Sequence, residues 1–96
     1  MDNEVIPLGA SLTIESVNAL KKVLDEALIL KKNIIFQAEE ITQVDTAGLQ
    51  FVLSFTKNLS QLNLEWEWQE PSMMLIHMAN ILGMSNLLKL GDFQGR

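Results

Sequence analysis

Two periods of apolar and polar residues alternate along this chain, and the points where one replaces the other mark out its elements. Glu4-Val5-Ile6-Pro7-Leu8 predicts a short strand, with Pro7 at an edge or a strand end because it has no N–H for a ladder. Gly9-Ala10-Ser11 predicts a turn that leads towards a very short second strand. From Thr13, a candidate N-cap, to about Leu30 the period becomes helical. Val17, Leu20, Leu24, Ala27 and Leu28 share one stripe, and Lys21, Lys22, Asp25 and Glu26 lie off it. Asn33 ends that pattern, and Ile34-Ile35-Phe36 reads as a central strand. Glu39-Glu40 opens a connection anchored by Ile41 and Val44.

A second helix is expected from about Thr46 to Leu62. Leu64, Trp66 and Trp68 then alternate with Glu65, Glu67 and Gln69, the period-two pattern of a strand with one buried and one wet face. Pro71 suits the first turn of a third helix. Met74, Leu75, Met78, Ala79 and Leu82 form its stripe, with Gly83 as its stop. A last helical turn is expected around Asn86–Leu90, and the tail Gly91–Arg96 is expected to fray. Strands alternating with helices over short connections predict βα units with right-handed crossovers. The fold class is therefore α/β, one small domain over residues 1–96 with a mostly parallel four- to five-stranded sheet and three to four helices.

Composition narrows the function classes. A chain of 96 residues can bury one modest core and leaves little room for a deep substrate pocket. Its net charge of −5 argues against nucleic acid and anionic membrane as direct partners, since phosphate binding needs clustered Lys and Arg. It suits a basic partner protein. The absence of cysteine excludes disulfides, thiolate catalysis and zinc–thiolate sites. The acidic first residues lack a basic-then-apolar leader, and no apolar run approaches the ~20 residues of a bilayer span. A cytoplasmic protein without membrane insertion is expected; a homodimer stays open.

The chemistry concentrates at Val44-Asp45-Thr46-Ala47-Gly48-Leu49-Gln50, where a strand-like run ends and an apolar helix begins. An Asp-Thr pair there sets a carboxylate and a hydroxyl beside free helix N–H groups, which favour anions. Gly48 in the first turn lets another backbone approach closely and leaves the helix start uncovered. A phosphate on Thr46 would add about −1.5 to −2 charges where the dipole is favourable, with Asp45 opposing it. In the alternative, Asp45 or Thr46 is simply an N-cap, contributing about 1 kcal/mol. The second helix is apolar on more than one side, because Leu49, Phe51, Val52, Leu53, Phe55 and Leu59 cannot share one stripe. A partly exposed Leu49 or Phe51 beside Thr46 would make an apolar patch next to a polar group, as interfaces often do. Phe55 and Leu59 are expected in the core.

These residues carry a resemblance. A strand, Asp-Thr-Ala-Gly-Leu and a long apolar helix resemble the STAS domain, the fold of bacterial anti-sigma factor antagonists. The likeness covers nearly the whole chain, including Gly-Ala-Ser-Leu-Thr-Ile at 9–14, Ile41–Leu53 at the centre and Ile81-Leu82-Gly83-Met84. It implies a non-enzymatic regulator acting by partner switching. A kinase-like anti-sigma factor would phosphorylate a hydroxyl at the start of the second helix and bind the unphosphorylated form. Such proteins usually read Asp-Ser-Ser-Gly or Asp-Ser-Thr-Gly, with phosphate on the residue before Gly. That residue here is Ala47, so Thr46 remains the candidate phosphoacceptor. The Asp-Thr-Ala-Gly form also resembles the STAS subunit of a phospholipid-trafficking ABC transporter and stand-alone STAS proteins of chemotaxis loci. These imply a constitutive accessory role on a transporter ATPase or a chemotaxis protein. The partner-binding residues implied are Asp45, Thr46, Ala47, Gly48, Leu49 and Phe51.

Other groups are read as structural. Met74 and Met78 are expected in the core, Met73 is left undecided, and Trp66 and Trp68 are assigned to a buried sheet face. His77 lacks the companions of a common zinc set. Glu39-Glu40 and Asp25-Glu26 read as surface charge, because adjacent helical residues do not face each other. There is no nucleophile–base pair and no glycine-rich phosphate loop, so neither an enzyme nor a cofactor is expected.

Overall fold

The computed structural model describes residues 3–91; Met1, Asp2 and residues 92–96 lie outside them, and with them nearly all of the tail expected to fray. The chain runs β1 (Asn3–Pro7), β2 (Ser11–Leu12), α1 (Val17–Ile29), β3 (Asn33–Gln37), β4 (Gln43–Val44), α2 (Thr46–Gln61), β5 (Trp66–Gln69) and α3 (Met73–Ile81). Every strand pairing is parallel. The five strands divide into a three-stranded sheet ordered β1-β3-β5 and a two-stranded ribbon β2-β4. The apolar run at Ile34–Phe36 takes the central place, and Pro7 closes an edge strand.

Period-two burial follows the sequence. Ile6, Ile34, Phe36, Trp66 and Trp68 point into one core with Leu24 and Ala27 of α1, Leu49, Val52, Phe55 and Leu59 of α2, and Leu75 and Ala79 of α3. Phe36 lies against Trp68 with ring centroids 4.7 Å apart and meets Phe55 edge-on. The Trp68 indole Nε1–H donates to the Leu88 carbonyl at 2.7 Å, which fastens the C-terminal turn under the sheet. The opposite sheet face stays bare: Asn3, Val5, Pro7, Glu67 and Gln69 are exposed and Asn33, Ile35 and Gln37 half-buried. Parallel sheets are usually covered on both faces, so this one is unusual.

Four local expectations change. Thr13 does not cap α1; its carbonyl accepts from Ser16 and Val17 N–H, so a turn precedes the helix and α1 begins at Val17. Pro71 precedes α3 rather than entering it, because the Ser72 hydroxyl takes the N-cap by accepting from Leu75 N–H at 3.1 Å. Met74 is 42% exposed, and Ile76 is buried in its stead. Residues 85–89 form turns rather than an α-helix, with Lys89 at φ 59°, so three helices are present among the described residues.

Candidate functional site

The start of α2 is built by Asp45. Its extended backbone (φ −123°, ψ 172°) ends β4, and its carboxylate caps the helix, with Oδ1 accepting Gly48 N–H at 2.7 Å. A carboxylate is favoured there by the helix dipole. The second oxygen does something capping alone does not require. Oδ2 accepts Ile14 N–H at 3.1 Å, thirty-one positions earlier in the chain, in the turn between β2 and α1. Asp45 N–H also donates to the Leu12 carbonyl at 3.2 Å. One residue thus ties the α2 start to the end of β2 and the turn beyond it.

Gly48 makes this possible. It is buried, and a Cβ there would overlap the Leu12 carbonyl oxygen and lie 2.5 Å from the Leu12 carbonyl carbon and 2.9 Å from Thr13 N. The close backbone approach expected at this glycine is therefore real, and the approaching segment is the chain's own. The helix start is correspondingly not left open: Asp45 and the 12–14 backbone cover it. The turn is stiffened from within, since Ser16 Oγ accepts Thr13 N–H at 2.9 Å and has the Ser11 and Thr13 carbonyls in reach, each at 3.0 Å.

The remaining sequence-selected residues separate by exposure. Thr46, the first residue of α2, is exposed, and Asp45 rather than Thr46 supplies the capping oxygen. Ala47 is half-buried. Leu49 is 0% exposed, which corrects the expectation of a partly exposed Leu49: it reaches the core, because the helix turns it under the sheet. Phe51 is half-buried and leans on the core from its edge. The apolar group that does reach solvent here is Ile14, 63% exposed on the turn that Asp45 holds. Periodicity gave no sign of this, because the β2–β4 pairing and the Asp45 bonds that bring that turn to α2 are long-range.

Glu15, Glu39, Glu40 and Glu70, all exposed, lie in the loops that follow β2, β3 and β5. The described lysines lie elsewhere, at 21 and 22 in α1, 31 and 32 beyond its end, 57 in α2 and 89 in the C-terminal turn. His77 stands exposed on α3. Among the described residues no group of three His, Cys, Asp or Glu could hold a metal ion, and no helix is long and apolar enough to cross a membrane. At the α2 start the exposed Thr46 and Ile14 flank the Asp45 carboxylate.

A family model described as the STAS domain matches residues 2–92, nearly the whole chain. No match was found among curated proteins.

Proposed function

The chain belongs to the STAS domain family, whose members act through protein–protein interaction and are generally non-enzymatic binding modules; from that premise we propose that it is an anti-sigma factor antagonist-like regulator. It binds a kinase-like partner protein through the start of α2 and the adjoining β2–α1 turn. The observation that carries this reading is the double use of the Asp45 carboxylate, on Gly48 N–H and Ile14 N–H. It holds two segments in one fixed arrangement before any partner arrives, which lowers the ordering cost of binding. Thr46 and Ile14 then present an exposed hydroxyl and an exposed aliphatic group next to the Asp45 carboxylate, whose charge fits a basic partner surface. Phosphate on Thr46 would place roughly −2 charges next to Asp45 and release the partner.

A second reading is favoured by Asp45 together with Ala47. Added phosphate on Thr46 is opposed by the adjacent Asp45, and the residue before Gly48 has no hydroxyl. On this reading the domain is a constitutive subunit of a transporter ATPase or a chemotaxis complex, and Thr46 is never modified.

Purification of the bound protein from the native host, followed by titration with variants, separates the two. Ile14→Asp should weaken binding about tenfold or more on either reading, since it sets a charge in a desolvated contact. Thr46→Asp should match that loss only for the phosphorylation-controlled regulator, where intact mass spectrometry after incubation with ATP and the partner also finds one phosphate, absent from Thr46→Ala. Full binding by both Ile14→Asp and Thr46→Asp would remove this surface from the interaction altogether.

A further inference from the structure

β5 is an edge strand of the three-stranded sheet. Ile34 N–H donates to the Glu65 carbonyl at 2.9 Å, and Ala38 N–H to the Gln69 carbonyl at 3.4 Å. In a parallel ladder this parity assigns the backbone groups of Glu65, Glu67 and Gln69 to β3. Those of Trp66 and Trp68 therefore turn outward, although their side chains are buried in the core. Among the described residues, no loop backbone group bonds to the main chain of either tryptophan. The other edge of the sheet is protected: the Leu8 N–H bond to the Gln37 carbonyl gives Pro7 the outward parity, and proline cannot donate.

We propose that the free edge of β5 accepts an extended segment of a partner protein in which Lys or Arg alternates with apolar residues. Strand addition uses main-chain bonds for affinity and pockets for alternate side chains for selectivity, and both kinds of side-chain site are present. On the bare face, Glu65 and Glu67 are exposed, opposite the positions where every second side chain of an added strand would lie. On the core side, a groove of about 350 Å³ runs beside the edge, lined by Leu53, Thr56, Lys57, Ser60, Trp66 and Leu87. Its exposed Leu87 suits an apolar side chain. Of the two cations beside the edge, Lys89 is engaged over the Trp66 ring at 4.4 Å and Lys57 lines the groove. The same geometry disfavours a second copy as the occupant. Two β5 strands pairing antiparallel about Glu67 would set Glu67 directly against Glu67, and like charges opposite each other destabilise a pair.

The test is backbone amide NMR of the full chain with two short synthetic peptides, one alternating lysine with valine and one alternating glutamate with valine. In the free protein the Trp66 and Trp68 amides should exchange rapidly. The lysine peptide should shift both and slow their exchange, and the glutamate peptide should bind about tenfold more weakly, from two cross-strand pairs at about threefold each. Glu67→Lys should narrow or reverse that preference without loss of the fold, because the side chain is solvent-exposed. The proposal is overturned if both amides are already protected in the free chain, if the lysine peptide shifts resonances elsewhere, if concentration alone protects them, or if Glu67→Lys leaves the preference unchanged. None of these readouts involves the α2 start, so they stand apart from the function proposed for it.

Discussion

Replacing Gly48 by alanine tests the junction at its tightest point. In an ordinary helix the change stabilises by up to about 1 kcal/mol, because glycine is the weaker helix former. Here the added carbon would overlap the Leu12 carbonyl oxygen and lie 2.5 Å from the carbonyl carbon. Both obstacles are backbone, so no rotamer change relieves them; either β2 or the first turn of α2 must move. Overpacking of this kind costs about 1–3 kcal/mol, and a rigid neighbour puts Gly48→Ala near the upper end. Set against the helix gain, the net loss is about 2 kcal/mol. For a domain of this size that lowers the melting temperature by roughly 8–16 °C. The movement also pulls Ile14 from Asp45, so partner binding should fall with stability. Thermal unfolding followed by circular dichroism measures the first effect, with Ala47→Gly as a control expected to cost about 1 kcal/mol from propensity alone. A Gly48→Ala protein that melts at or above the parent temperature would refute the close approach of β2 to α2, and with it the account of the site as a welded pair of segments.

Asp45→Ala removes both the cap and the Ile14 bond and should destabilise by about 1–2 kcal/mol in urea unfolding, with the Ile14 amide exchanging faster; unchanged exchange at Ile14 would mean that Asp45 does not hold the turn. Trp68→Phe leaves the buried Leu88 carbonyl without its donor and should cost about 1–3 kcal/mol, read from the denaturation midpoint. Met74→Lys should fall within about 0.5 kcal/mol of the parent because the side chain is exposed, whereas Leu75→Lys should prevent folding; comparable losses in the two would place Met74 in the core after all.

The helices and the strands of the main sheet are legible in the sequence because short-range periodicity fixes them, whereas the two-residue β4 lies in what reads as a connection. The bounds expected for α2 differ from those observed by a single residue. The W-E-W-Q alternation at 66–69 gave both a strand and its buried face, and Ile34-Ile35-Phe36 gave the central position. A cap at this helix start was readable as Asp45 or Thr46, and the structure gives it to Asp45 on Gly48 N–H. The misses are of another kind. Thr13 and Pro71 have the chemistry of helix starts, but Ser16 and Ser72 occupy the starting positions, because neighbouring turns were already committed. Met74 carried the right hydropathy on the wrong side of a helix whose outer face is also apolar.

What the sequence alone determined is the fold class and the order of the three helices and the main strands, with residues 44–50 as a candidate site. What only the tertiary structure decided is which groups that site shows to solvent. Leu49 lies in the core because its face of α2 packs under the sheet, and Ile14 joins the site because β2 pairs with β4 and the carboxylate at position 45 reaches the backbone at position 14. The bare face of the sheet and the free edge of β5 were decided in the same way. Local pattern records how a residue is spaced from its neighbours, whereas exposure depends on which distant segment comes to lie against it.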